Sequence, residues 1–238
     1  RSVGVTGVQT CALPISMSWV AANLPLIGDY LVAHLAQAAP AIAAALVLAI
    51  PMARLAQRVR WARGPLVTGA SLLYAVPSLC LFVVLPIVLG TRIYDPVNVV
   101  VALTLYGLAL LVPACVDALD SVDADAVDAA AAMGMGRVRR FLAVELPLAG
   151  PAILAGLRVV TVSTVSLTTV GAVLGVRSLG FLFTDGLQRN LGVEVLTGVV
   201  LTVALALALD ALVLVGGRLA MPWTRRAAAG APAGAGAP

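Results

Sequence analysis

Few side chains in this sequence can do covalent chemistry. There is one histidine, His34, and all fifteen basic residues are arginine, so there is no lysine. A P-loop needs a lysine to reach the nucleotide phosphates, so any work driven by ATP must draw on hydrolysis by another chain. Cys11, Cys80 and Cys115 have neither metal-ligand nor disulfide spacing, and no metal or cofactor site is expected. Two patterns remain. Arg158 and Asp210 fall inside long apolar stretches, where charges are costly and usually face a partner. The other pattern is Asp128-Ala129-Ala130, then Gly134, Val144 and Leu146-Pro147. A short helix with a small face, a glycine that permits a sharp bend and a second arm together suit docking into a groove on another protein.

The elements that carry these residues are membrane helices. The 238-residue chain is 61% hydrophobic and 11% charged, with mean hydropathy +1.06, too few charges to cover a soluble surface. Ala and Leu dominate without strand-like alternation, which argues against a β-barrel. A spanning helix needs about 20 apolar residues. Five segments qualify, near 29–53, 64–90, 97–117, 148–175 and 193–217. The second contains Pro77 and Pro86 and is expected to be kinked or broken; read as two short helices it would give six spans.

Charge favours five. Arg54, Arg58, Arg60 and Arg63 follow the first segment, Arg137, Arg139 and Arg140 precede the fourth, and Arg218, Arg225 and Arg226 follow the fifth. Five spans put all of these on one side and leave Arg92, Arg177 and Arg189 opposite. The positive-inside rule makes the Arg-rich side, with residues 118–147 and the C-terminus, cytoplasmic. Asp29, Asp95, Asp185 and Glu194 then fall at outer ends, as solvated ends or contacts for an external protein. Arg158 and Asp210 come out at similar depth, at about 1.5 Å per residue. They can pair within the chain or across a dimer interface, or Arg158 can snorkel to the headgroups. His34 reads as a packing residue.

Within 118–147, Ala124 to Met133 reads as a short helix with Asp123, Asp125 and Asp128 near its start. Gly134 and Gly136 interrupt it, Arg137 to Leu146 forms a second short helix, and Pro147 opens the next span. Residues 1–16 read as non-native, with Val5 to Ser16 resembling a translated sequencing adapter, which puts the natural start at Met17; one positive charge and no sustained apolar core argue against a signal peptide. Residues 17–223 read as one transmembrane domain, and residues 224–238 as an Ala/Gly/Pro-rich tail expected to be disordered.

The 128–147 pattern resembles the EAA loop of ABC importer permeases: Glu-Ala-Ala, three residues, Gly, nine residues, Ile, one residue, Leu-Pro. Every spacing is kept, with Asp128 for Glu and Val144 for Ile. The resemblance implies an all-α integral membrane fold of about five transmembrane helices, of the type I importer, methionine-permease-like kind. It also implies that the loop docks on an ATPase subunit, that ATP is bound by that partner, and that an extracytoplasmic binding protein delivers the solute. A second permease copy or paralogue completes the pathway in the bacterial inner membrane, among its lipids.

Leu73–Leu79 with Leu85-Pro86 and Gly90, Pro147–Arg158 and Leu179–Asn190 are similar to the osmoprotectant permeases, which import glycine betaine, choline or carnitine. The alternative is a permease for methionine or another small solute. Tyr74, Pro77, Tyr106 and Phe82 are the candidates to line a pathway, with packing the competing role. The arginines are scattered over loops, so nucleic acid is not an expected partner. A membrane enzyme lacks residues to use, with one His and no Lys. A secondary transporter would favour internal repeats and more intramembrane ionisable groups; no repeat is seen.

Overall fold

The structure, a computed structural model, describes residues 17–223. The expectations for residues 1–16 and for the tail from 224 lie outside the described residues. Every described element is helical. In chain order they are α1 (Met17–Ala22), α2 (Leu24–Arg58), α3 (Arg60–Ala75), α4 (Ser78–Leu89), α5 (Pro96–Asp120), α6 (Ala124–Ala132), α7 (Arg137–Arg140), α8 (Leu146–Thr168), α9 (Phe181–Gln188) and α10 (Gly192–Ala220). A π-helical turn, Phe141–Glu145, joins α7 to α8, and a 3₁₀ segment, Thr169–Leu174, extends α8.

Local chemistry sets the helix ends. Asp95 caps α5, its Oδ1 accepting the Val97 N–H at 3.0 Å, and Pro96 sits in the first turn where its missing N–H costs nothing. Asp123 caps α6 in the same way through the Asp125 N–H, also at 3.0 Å.

Helix α5 is the centre of the bundle, with α2, α3, α4 and α8 around it; α10 packs on α8 and α9. In lipid, helices gain little from hydrophobicity against one another, so close packing must hold them together. On α2, Ala38, Ala41, Ala45, Ala49, Ala53 and Ala56 recur every three or four residues and are all buried. This stripe lets α5 approach closely. A Cβ at Gly107 would lie 2.7 Å from Ala45 Cβ and 3.3 Å from Val160 Cγ1, so α2, α5 and α8 converge there. By contrast α10 buries only Glu194, Gly198 and Ala206 and turns Val200, Val203, Leu207 and Leu212 outward, as a lipid-facing helix does.

Among the described residues four helices are long and apolar enough to cross a membrane: α2, α5, the continuous run Arg137–Leu174 and α10. The pair α3–α4 is apolar enough when taken together but bends by 108° at its break, as a broken span or a re-entrant loop does; counted as one span it brings the number to five. Pro77 is the break, at the cap of α4, while Pro86 sits inside α4 without interrupting it.

The structure corrects the sequence reading at three places. The arginines after the first segment do not lie on a loop: α2 runs on through Arg54 to Arg58, and only Val59 separates it from α3, which holds Arg60 and Arg63. Arginine is a good helix former, so a polar stretch need not end a helix. Arg137–Leu146 is not a separate short helix, because the π-turn carries it unbroken into α8. There the Leu146 N–H reaches back five residues to the Phe141 carbonyl. The wider turn makes room for Pro147, whose ring would otherwise press on the carbonyl four residues back. Glu194 is not a solvated end; it is 1% exposed, covered where α9 folds back on α10.

Candidate functional site

The residues singled out in sequence fall at three levels of the bundle. The first is the 123–147 hairpin at its Arg-rich end. Helix α6 stops at Gly134, whose φ is +78°. The Gly134 N–H donates to the Ala131 carbonyl at 2.9 Å and the Met135 N–H to the Ala130 carbonyl at 3.1 Å, the paired closure of a Schellman motif. Nothing lies within 4 Å of where a Cβ at Gly134 would point. Glycine is therefore needed for its left-handed backbone, and the space beside it is open. Met133, Val138 and Leu142 around this tip are 70%, 65% and 57% exposed, an apolar surface without cover in this chain.

The remaining hairpin residues divide. Asp128 and Ala129 are exposed, while Ala130 turns inward and is buried, so only one of the two alanines offers its face outward. Val144, Leu146 and Pro147 are half-buried, and Leu146 packs against the core formed by α2, α5 and α8. The second arm thus anchors the hairpin, and the exposed tip is what remains to bind.

The second level is the break between α3 and α4. Tyr74, Val76, Pro77 and Ser78 line a cavity of about 530 Å³ together with Tyr106 of α5 and Ser163 and Ser166 of α8. The Tyr74 and Tyr106 rings meet edge to face, centroids 6.3 Å apart. The Tyr106 hydroxyl donates to the Val76 carbonyl at 2.6 Å, satisfying a backbone group freed by the break. Phe82 does not join them; it is 1% exposed in the core with Val99 and Leu103.

The third level is Arg158 and Asp210, which the structure brings together within one chain. Arg158 Nε and Nη2 donate to the two Asp210 oxygens at 2.7 and 2.6 Å, a two-pronged pair tying α8 to α10. His34 is fully buried on the inner face of α2.

Residues 35–224 match the model of the family described as binding-protein-dependent transport system inner membrane component. The chain belongs to that family. It is thus a multi-pass transport permease of the bacterial inner membrane that works with a substrate-binding partner and an ATPase partner. This permease is 31% identical over 180 residues to the osmoprotectant import permease protein OsmW of Salmonella typhimurium, covering 74% of this chain and 83% of that one. It is 28% identical over 184 residues to the glycine betaine/carnitine/choline transport system permease protein OpuCD of Bacillus subtilis, covering 77% and 76%. Among solved structures, the inward-facing MetNI methionine ABC transporter superposes with a TM-score of 0.67 at 18% identity, over 88% of this chain and 98% of that one, a likeness of fold.

Sequence reasoning missed a polar network in the permease. Arg54 of α2 forms a two-pronged ion pair with Glu145 of the π-turn, through Nη1 to Oε2 and through Nη2 to Oε1 at 3.2 Å. Its guanidinium lies 4.4 Å from the Phe141 ring centroid, and Arg140 Nε reaches Glu145 Oε1 at 3.3 Å. Beside it, Asp120 at the end of α5 accepts from Arg63 at 2.5 Å and Gln57 at 3.0 Å. The charged and amide side chains of this network, with Asp128, line a cavity of about 570 Å³ between the hairpin and the ends of α2, α3 and α5. One signal was available: Glu145 is the only acidic residue between Asp128 and Asp185, close after Arg137, Arg139 and Arg140.

Proposed function

We propose that this chain is the permease subunit of an ABC importer for quaternary ammonium osmoprotectants, such as glycine betaine, choline or carnitine. The observation that carries the proposal is the hairpin. An uncovered apolar tip is built around a left-handed Gly134, on the spacing that the ATPase-coupling loops share, at the Arg-rich end of a five-span bundle. The positive-inside rule places this end, and the end of α10, in the cytoplasm. There the tip docks by Asp128, Ala129 and Gly134 in a groove of the ATPase, while Ala130, Val144, Leu146 and Pro147 fix the hairpin to the spans. ATP is bound and hydrolysed by that partner, in keeping with a chain that has no lysine. No covalent step falls to this chain.

An extracytoplasmic binding protein delivers the solute, and closure of two ATPases rocks two permease subunits, identical or paralogous, between outward-open and inward-open states. The cavity at the α3–α4 break, where Tyr74 is half exposed, is part of the pathway. Aromatic faces attract a quaternary ammonium group, so Tyr74 and Tyr106 suit this cargo. The names of the curated relatives favour osmoprotectants over methionine, since the likeness to the methionine transporter is one of fold.

The test is ATP-dependent uptake of labelled glycine betaine, choline and carnitine by cells producing the permease with its ATPase and binding protein, with methionine as comparison. Betaine uptake that is lost in the Asp128→Lys/Gly134→Val double variant is expected. Methionine uptake without betaine uptake would overturn the substrate class. Uptake that persists in the double variant would overturn the coupling role of the hairpin.

A further inference from the structure

The coupling spacing leaves one position open between Val144 and Leu146, and Glu145 occupies it. We propose that the Glu145–Arg54 ion pair is the joint through which movement of the docked hairpin reaches the spans. The inference rests on the ATPase-driven reading above.

Three features converge on this pair. The first is burial: the Glu145 and Arg54 side chains are 9% and 17% exposed, whereas Asp128 at the same cavity is exposed, so the pair is held among this chain's own helices. The second is backbone. The π-turn Phe141–Glu145 sits between the arm that carries the arginines and the span α8. It presents Phe141 and Glu145 to one guanidinium, the ring 4.4 Å from it and the carboxylate gripping it by both oxygens. Insertions of this kind in helices recur at functional sites.

The third is connectivity. Arg54 lies in α2, whose alanine stripe is packed along α5, and Arg140 holds the same carboxylate from the hairpin side. Displacement of the second arm therefore pulls on α8 through the backbone and on α2 through Arg54 at once. A carboxylate held by a planar two-pronged guanidinium resists reorientation better than one held by a point charge. Glu145 and Arg54 are positioning residues in this scheme.

The experiment uses the complete importer reconstituted in proteoliposomes and reads solute accumulated per ATP hydrolysed. Glu145→Gln is expected to lower that ratio about tenfold, a typical size for one coupling interaction, with the ATPase still copurifying because the exposed tip is intact. The double variant Arg54→Met/Glu145→Leu leaves neither partner buried and unpaired, so its thermal midpoint should return towards the wild type. Its ratio should stay low. Recovery of the ratio together with stability would make the pair a static clamp and overturn the proposal, as would a ratio unchanged in Glu145→Gln.

Arg54→Lys keeps the charge and loses the fork, and carries the test if the other variants do not assemble. It should lower the ratio by about threefold, and a wild-type ratio there overturns the proposal. A wrong substrate class shows already in the wild type, which would accumulate no betaine. The ratio is then read with methionine, and the variants judge the pair on the same criteria.

Discussion

Gly134 illustrates how much one backbone angle can fix. At φ +78° a residue with a Cβ strains against its own carbonyl, at about 1–2 kcal/mol. Asparagine tolerates this region better than β-branched residues do. The space beside Gly134 is open within the chain, so a side chain there meets only whatever docks on the tip. Gly134→Val is therefore expected to reduce ATPase copurification about tenfold, because a free turn that relaxes out of the left-handed region must regain the docking shape at a cost of about 1–2 kcal/mol. Gly134→Asn should retain a substantial share. Equal retention by both variants would remove the left-handed turn from the docking argument.

The spacing from Asp128 to Pro147 could be read from sequence because it is local. The direction of Ala130 could not, since it depends on the phase of α6 against the bundle. Glu145 was missed because its partner lies 91 residues away and the two meet only in the folded chain.

At the scale of elements, the apolar segments were legible because each is long enough to cross a bilayer, and α5 starts and stops within a few residues of its expected bounds. Pro77 was legible as a break because a proline frees a backbone carbonyl four residues earlier. What escaped were the places where a helix continues through polar sequence: the near-junction of α2 and α3, and the run from Arg137 into α8. Hydropathy marks where lipid ends, and a helix need not end there.

The packing of α2 on α5 is open to a direct test. Gly107→Val would drive a branched side chain onto Ala45 and Val160, where even a Cβ is 2.7 Å from its neighbour. Overpacking of this kind costs about 1–3 kcal/mol, to be read as a lowered unfolding midpoint in detergent. Gly69→Val is the control, since nothing lies within 4 Å of a Cβ there. The two variants should separate clearly; if Gly107→Val is as stable as the control, the close approach of α2 and α5 is not what holds the bundle.

For the whole molecule, the distribution of arginine should set the direction in which it sits in the membrane. The hairpin, the joined ends of α2 and α3 and the end of α10 together carry Arg54, Arg58, Arg60, Arg63, Arg137, Arg139, Arg140 and Arg218. The opposite connections carry Arg92, Arg177 and Arg189. Several of the Arg-rich set are held at that end by Glu145 and Asp120, but ion pairing does not offset the bias, because acidic residues contribute little to it. The expectation is that the hairpin faces the cytoplasm. In a background with Cys11, Cys80 and Cys115 replaced by serine, a membrane-impermeant maleimide should label Arg92→Cys in intact cells. It should label Arg139→Cys, on the exposed side of α7, only in inverted vesicles. The reverse pattern would place the hairpin outside, beyond reach of any ATPase. The coupling role of Gly134 and the joint at Glu145 would then fall together, whatever solute the permease carries.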